Sequence, residues 1–134
     1  MKYLLDSNTC IRFLNRRSPE VIDHLTDTPD EDIFVCSIVK AEMFFGSEKS
    51  ARRERNLAVQ RAFFSRYVSL AFDDLAADRY ALIRADLEAR GQLIGANDLL
   101  ISAIALAHDL TLVTHNMAEF SRVTGLQLED WEVA

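Results

Sequence analysis

The chain has 134 residues, 49% hydrophobic and 27% charged, a balance typical of one globular domain that would span residues 1–134. Only four Gly and two Pro are present, which excludes a disordered or low-complexity chain. The net charge of −6 argues against a protein that holds nucleic acid by overall positive charge, so an RNA site would need local cations or a metal ion.

Short apolar segments alternate with longer segments whose apolar residues recur at helical spacing. The predicted strands are 3–6, 33–37, 68–72, 111–114 and 126–133. The predicted helices are 9–17, 19–25, 39–46, 51–67, 73–90, 97–108 and 117–123. Ser18 followed by Pro19 is typical of a helix start, and Asn97 is the expected N-cap of the sixth helix. Gly46 and Gly91 are expected to end the third and fifth helices.

The predicted strands lack a regular alternation of polar and apolar residues. This pattern indicates burial on both faces, which is typical of a parallel sheet. Because strands alternate with helices, the sequence predicts an α/β fold with helices on both sides of the sheet. Ligands in such folds bind outside the carboxyl ends of the strands, so polar residues at those ends are candidates for a site.

Three carboxylates lie near strand ends or helix starts. Asp6 follows the apolar run YLL, Glu42 lies early in the third helix, and Asp98 lies in the first turn of the sixth helix. Each alone has an ordinary explanation: a turn residue, a solvent-facing residue and a carboxylate at a helix N-terminus. Together they would repel one another, since two unit charges ~4 Å apart cost ~4 kcal/mol at an effective dielectric of 20. Asn116 and Glu119 follow the fourth strand and could reach the same edge.

Such a cluster of carboxylates would either take up protons or bind a cation. Hard oxygen ligands in an incomplete shell favour Mg²⁺ or Mn²⁺, with water and phosphate oxygens completing the coordination. This chemistry suits phosphodiester hydrolysis, because the metal ion lowers the pKa of its water and neutralises charge on the attacking and leaving oxygens. Ser7 and Asn8 are expected to orient Asp6 through hydrogen bonds from the next turn.

Three segments resemble the PIN-domain endoribonuclease toxins of the VapC type, and the resemblance runs from Met1 to about Trp131. The segments are YLLDSN, SIVKAEMFFG and IGANDLLISAIALAHDLTLVTHNMAEF. The resemblance implies a three-layer α/β/α sandwich around a parallel sheet of about five strands. It also implies that Asp6, Glu42 and Asp98 form the acidic triad that binds the metal ion. Asn116 stands where the wider fold often has a fourth acid, so it would orient a water or a metal ligand, and Glu119 would supply the missing charge.

The same resemblance implies the toxin of a toxin–antitoxin pair. Its activity would be Mg²⁺- or Mn²⁺-dependent cleavage of RNA, with a tRNA as the expected target, leaving a 5′-phosphate and a 3′-hydroxyl. The partners would be a cognate antitoxin and a second copy of the chain, joined in a larger toxin–antitoxin complex. The chain shows no apolar run long enough for a membrane span and no signal-peptide pattern, so we expect a cytoplasmic protein.

Other residues have both a functional and an ordinary interpretation. Arg52, Arg53 and Arg55 would contact RNA phosphates or form a solvated helix face. His115 would serve as an acid, contact RNA or be an ordinary loop histidine. The apolar run 43–45 would form a groove for a partner helix or pack in the core.

Two other functions are consistent with parts of the sequence. The segment LLDSNT resembles the nucleophilic aspartate of haloacid-dehalogenase phosphatases, but Asn8 stands where that chemistry needs a second acid. The other alternative is a non-catalytic binding module on the same fold. Metal-dependent cleavage of RNA would distinguish the nuclease from both.

Overall fold

The computed structural model describes residues 1–133. The strands are β1 (Tyr3–Leu5), β2 (Ile33–Cys36), β3 (Val68–Leu70), β4 (Thr111–Val113) and β5 (Leu128–Glu129). The α-helices are α1 (Ser7–Leu14), α2 (Pro19–Asp27), α3 (Ser37–Glu48), α4 (Arg53–Phe64), α5 (Asp74–Ala89), α6 (Ala96–Ala107) and α7 (Met117–Phe120). A short 3-10 helix, Asp30–Asp32, leads into β2.

The strands form one parallel sheet in the order β3-β2-β1-β4-β5. From β1 the chain moves to β2 and β3 on one side, and then it crosses to β4 and β5 on the other. The strand order therefore reverses between β1 and β4, and α/β proteins bind ligands at such a point. The predicted fold, five parallel strands flanked by helices, is confirmed.

The central strands are buried on both faces, which explains their continuous apolar sequences. Leu4, Leu5, Val35 and Leu112 have no exposed surface. The helix α6 is buried around much of its circumference and packs along α5. The sheet and α6 thus form a close-packed base for the residues at their ends.

The two glycines predicted to end helices behave differently. Gly91 has φ 64 just after α5, and the Gln92 N–H donates to the Leu87 carbonyl at 2.8 Å, so this helix ends as predicted. Gly46 instead lies within α3, which continues to Glu48. A helix held by packing tolerates an interior glycine at a cost of about 1 kcal/mol, so the prediction of a helix end was wrong there.

Other boundaries also differ from the predictions. The last strand is only Leu128–Glu129, because β5 pairs with β4 at just two positions. The helix α6 has Gly95 as its N-cap, so Asn97 lies inside the first turn.

Among the helices of residues 1–133, none has both the length and the apolar character needed to cross a membrane.

Candidate active site

Asp6 lies at the point where the strand order reverses. It directly follows β1 and is 5% exposed, and its backbone N–H donates to the Val113 carbonyl of β4 at 3.1 Å. The side chain caps α1 by accepting from the Thr9 N–H at 2.8 Å. Burial raises the pKa of Asp6, while hydrogen bonds from Thr114 and Thr9 act in the opposite direction. The fold therefore holds this carboxylate in a fixed, poorly hydrated position.

Glu42 reaches the same place from α3. The Ser7 hydroxyl donates to Glu42 Oε1 at 2.7 Å, which joins the start of α1 to the middle of α3. Ser7 was expected to orient Asp6, and that prediction was wrong, because its hydroxyl is bonded to Glu42. A hydroxyl that donates to a carboxylate fixes one oxygen and leaves the second available.

Asp98 occupies the first turn of α6 and is half-buried. Burial and the negative charges of Glu119, Glu42 and Asp6, in that order, raise the pKa of Asp98 to about 6. Every one of these causes disfavours the charged carboxylate. The charged form of Asp98 is therefore unfavourable in the metal-free protein, and a bound cation would relieve that repulsion.

Glu119 and Asn116 form a supporting pair behind Asp98. Glu119 Oε1 accepts from the Gly95 N–H at 2.9 Å, and Oε2 accepts from the Asn116 side-chain amide at 2.9 Å. These two hydrogen bonds lower the pKa of Glu119, so it stays charged. A Cβ at Gly95 would lie 3.5 Å from Asp98 Oδ2 and 3.7 Å from Glu119 Oε1, which are ordinary van der Waals distances, so this position lies close to both carboxylates without excluding a small side chain.

Two arginines fasten the segment before α6 to the residues after α7. Arg122 Nη1 donates to the Leu93 carbonyl at 3.1 Å, and Arg90 Nη2 donates to the Arg122 carbonyl at 2.7 Å. Asp86 accepts from Arg90 Nη2 at 2.7 Å and fixes that side chain. Nothing in the local sequence signalled these contacts, because they join residues about 30 positions apart.

The carboxylates meet at a cavity of about 120 Å³, here called the acidic cavity. Its lining residues are Asp6, Ser7, Asn8, Glu42, Asp98, Ile101, Asn116 and Phe120. The structure thus brings Asp6, Glu42, Asp98 and Asn116 to one cavity, whereas Glu119 supports it from behind. Within residues 1–133, no three Asp, Glu, His or Cys side chains are positioned to hold a metal ion as they stand. The donor set nevertheless fits a hard divalent cation, since the lining offers carboxylate and amide oxygens.

A larger groove of about 600 Å³ runs between α1, α3 and α4, and we call it the α1–α4 groove. It shares Ser7, Asn8 and Glu42 with the acidic cavity. Ile11 and Val59, which line it, are 39% and 44% exposed. The α1–α4 groove is therefore an amphipathic surface that leads to the carboxylates.

The apolar run 43–45 is divided between packing and surface. Met43 is buried and Phe44 packs against Phe64, so both belong to the core. Phe45 is 65% exposed, with Lys49 Nζ 4.6 Å from its ring centroid. The core interpretation thus holds for two of the three residues, although Met43 also lines the α1–α4 groove.

The three arginines of the predicted RNA-binding run differ in their surroundings. Arg53 forms an ion pair with Glu48, and both side chains are about half exposed. Arg55 is exposed and lines the α1–α4 groove, and Arg52 is exposed just before α4. A phosphate contact by Arg53 would therefore require the loss of its pair with Glu48, a condition that does not apply to Arg52 or Arg55.

Comparisons of the sequence and of the structure with known proteins identify the same family. The PIN domain family model matches residues 3–126. The chain is 39% identical to "Ribonuclease VapC2" of Haemophilus influenzae and to "tRNA(fMet)-specific endonuclease VapC" of Salmonella typhimurium, over 98% of each chain in both cases. It superposes on the crystal structure of DNA-bound VapBC from Salmonella typhimurium with a TM-score of 0.92, 36% identity and 98% of both chains covered. The chain therefore belongs to the PIN domain family and, within it, to the VapC ribonucleases.

Proposed function

We propose that this chain is the toxin of a toxin–antitoxin pair and that it cuts a tRNA with Mg²⁺ or Mn²⁺ held by Asp6, Glu42 and Asp98. The observation that carries the proposal is the meeting of these three carboxylates at the point where the strand order reverses. The tRNA target is supported by the relative from Salmonella typhimurium, whose name specifies tRNA(fMet) as its substrate. We further propose that the chain forms a single PIN domain and acts in the cytoplasm.

When bound, the metal ion would activate water and offset the negative charge of the phosphate. The chain's own residues keep the carboxylates in place for it. Thr9 and Thr114 hold Asp6, Ser7 holds one oxygen of Glu42, and Asn116 with the Gly95 N–H holds Glu119 beside Asp98. Asn116 is thus assigned to positioning Glu119, and Glu119 to maintaining a negative charge next to the metal ligands.

The proposal is tested by incubating the purified chain with total tRNA and Mg²⁺, Mn²⁺ or EDTA, followed by sequencing of the new 5′ ends. We expect cleavage with either ion, none in EDTA, and products with a 5′-phosphate. A non-catalytic module or a phosphatase would leave the RNA uncut under all conditions. Equal cleavage in EDTA would contradict the metal assignment, and only the assignment of ribonuclease activity would remain.

We propose that the antitoxin occupies the α1–α4 groove and places an Arg or Lys beside the carboxylates. The neighbouring structures from Salmonella typhimurium and Rickettsia felis are both VapBC complexes, which supports a partner of this kind. The α1–α4 groove offers apolar contact and ends at Glu42, where a guanidinium can pair with a carboxylate in bidentate geometry.

Val59→Glu is expected to weaken antitoxin binding by about tenfold or more, because it introduces a charge among the apolar contacts of the α1–α4 groove. Val68→Glu is the matched control, since Val68 is 57% exposed on the edge strand β3 and does not line the groove. Calorimetry with the purified antitoxin measures both variants. Equal affinities would place the antitoxin elsewhere.

Arg52→Ala combined with Arg55→Ala is expected to flatten the salt dependence of RNA binding. Loss of two phosphate contacts reduces the slope of log K against log salt by about 1.4–1.8, because fewer counterions are released. Arg53→Ala is the control, since Arg53 is already paired with Glu48. Binding is measured at several salt concentrations in proteins that also carry Asp98→Asn, so that the RNA stays intact. If the double variant and Arg53→Ala gave equal slopes, these arginines would be a solvated helix face rather than an RNA contact.

We also propose a homodimer that joins the antitoxin in a larger complex. Leu75 and Leu82 of α5 are 51% and 65% exposed, and their spacing of seven residues places both on one face of the helix. An exposed apolar stripe of this kind supports a face covered by a second copy of the chain.

A further inference from the structure

His115 lies in a charged cluster beside the acidic cavity. His115 Nδ1 is 2.9 Å from Asp130 Oδ2 and 3.9 Å from Glu132 Oε2. The histidine side chain is 58% exposed, whereas those of Asp130 and Glu132 are 13% and 17% exposed. Arg12 of α1 completes the cluster, with its Nε 3.5 Å from Glu132 Oε1. Two largely buried carboxylates thus face one exposed imidazole.

A backbone hydrogen bond orients the Asp130 carboxylate towards this imidazole. Its Oδ1 accepts from the Glu132 N–H at 2.9 Å, so Oδ2 is directed towards His115 Nδ1. A histidine held at Nδ1 by a carboxylate has a fixed ring orientation and presents Nε2 to solvent. The hydrogen bond that His115 donates to Asp130 and the charge of Glu132 raise the pKa of His115, while burial and the charge of Arg12 act against them. The ring therefore has a fixed orientation, and the neighbouring carboxylates favour its charged form, which donates hydrogen bonds from both ring nitrogens.

The neighbours of His115 place it at the rim of the acidic cavity. Thr114, the residue before it, donates to Asp6, and Asn116, the residue after it, lines the cavity. The charge of Glu132 also contributes to the raised pKa of Asp6, so the two clusters lie close together. The ionisable groups that line the acidic cavity are all carboxylates, so RNA phosphates beyond the one at the proposed metal ion are repelled, and a nearby cation would offset that repulsion.

We propose that His115, held by Asp130, binds an RNA phosphate next to the one that is cut and thereby positions the substrate. The assignment rests on the proposed ribonuclease function and adds a contact that lies outside the carboxylate set. An imidazolium donates a charge-assisted hydrogen bond to a phosphate oxygen. Because this contact is to a phosphate that does not react, it contributes to binding of substrate and transition state alike, and its loss raises KM rather than lowering kcat.

The first test measures cleavage kinetics of His115→Ala, Asp130→Asn and the control His108→Ala. His108 is exposed at the opposite end of α6 and takes no part in either cluster. We expect His115→Ala to raise KM about tenfold with kcat nearly unchanged, Asp130→Asn to raise it less, and His108→Ala to match the wild type. A wild-type KM for His115→Ala, or a fall in kcat alone, would overturn the assignment.

The second test measures RNA affinity against pH with Asp98→Asn present, which keeps the RNA intact and removes the titration of Asp98. Affinity should fall as pH rises through the His115 pKa, the fall should move to lower pH in Asp130→Asn, and it should be absent in His115→Ala. The same fall in His115→Ala would overturn the assignment. A chain that cuts RNA but shows no His115 effect refutes this inference alone, whereas a wild-type chain that neither binds nor cuts RNA refutes the proposed function with it.

Discussion

Asp6→Asn is expected to reduce RNA cleavage by at least about a hundredfold, because even residues that only support metal ligands cost 10–100-fold in metal affinity or activity. The amide keeps the shape of the side chain and can still accept from the Thr9 N–H, so α1 keeps its N-cap. What is lost is the negative charge at the point where the strand order reverses. The measurement is the initial rate of tRNA cleavage at saturating Mn²⁺.

Asp73→Asn is a closely matched control for this experiment. Asp73 also follows a strand and caps a helix, accepting from the Ala76 N–H at 3.0 Å at the start of α5. It does not line the acidic cavity, so its loss should leave cleavage unchanged. Wild-type cleavage by metal-loaded Asp6→Asn would refute the assignment of Asp6, and equal losses in both variants would assign the effect to helix capping.

Asp98→Asn is expected to stabilise the metal-free protein at neutral pH while abolishing cleavage. The pKa of Asp98 is raised from 3.8 to about 6 in the folded state, so the unfolded chain releases this proton at lower pH than the folded chain. Stability of the wild type therefore falls as pH rises from about 4 to above 6, and the full penalty is present at pH 7.5. Each pKa unit corresponds to about 1.4 kcal/mol, but solvent screening of a half-buried group reduces the expected gain to about 1 kcal/mol.

Asp74→Asn serves as the reference, because Asp74 lies in the first turn of α5 as Asp98 does in α6. Both variants lose a favourable charge at a helix N-terminus, worth about 0.3–1 kcal/mol, and only Asp98→Asn also relieves repulsion. In EDTA at pH 7.5, Asp98→Asn should melt about 3–5 °C above Asp74→Asn, and the difference should vanish near pH 4. A lower melting temperature for Asp98→Asn would show that the carboxylates do not interact.

Metal binding should reverse the order of the melting temperatures of the wild type and Asp98→Asn. An ion that binds only the folded state at a hundred times its Kd stabilises it by about 2.7 kcal/mol. Added Mn²⁺ should therefore raise the melting temperature of the wild type well above that of Asp98→Asn. Equal responses of the two proteins to Mn²⁺ would separate Asp98 from the metal site, even if its repulsion with other carboxylates were established.

The fold was predictable because its main signals are local and strong. The apolar strands, buried on both faces, follow directly from sequences such as YLL and IFVC. The rule that ligands bind at the carboxyl ends of parallel strands then identified Asp6 and Glu42 as site candidates without knowledge of any interatomic distance. By contrast, residue type alone does not distinguish Gly46 from Gly91. Packing decides that one helix continues through Gly46 and that another ends at Gly91.

The contacts within the site were not predictable in the same way. Ser7 donates to Glu42, 35 residues away, although Asp6 is its neighbour in sequence. The links from Arg90 and Arg122, and the pairing of His115 with Asp130, likewise join separate elements. Such partners are selected by angles between packed helices and strands, and a pattern in one segment holds no information about those angles.

The three residues common to the acidic cavity and the α1–α4 groove have a consequence for how related toxins stay distinct. Ser7, Asn8 and Glu42 also line the proposed metal site, whereas Val59 and Gln60 of α4 line the groove and not the acidic cavity. In the proposed complex, changes at Val59 and Gln60 would therefore alter recognition of the inhibitor while leaving the acidic cavity unchanged, because specificity is a difference between affinities for competing partners. A cell that carries several such pairs can keep each toxin matched to its own inhibitor by substitutions on one helix.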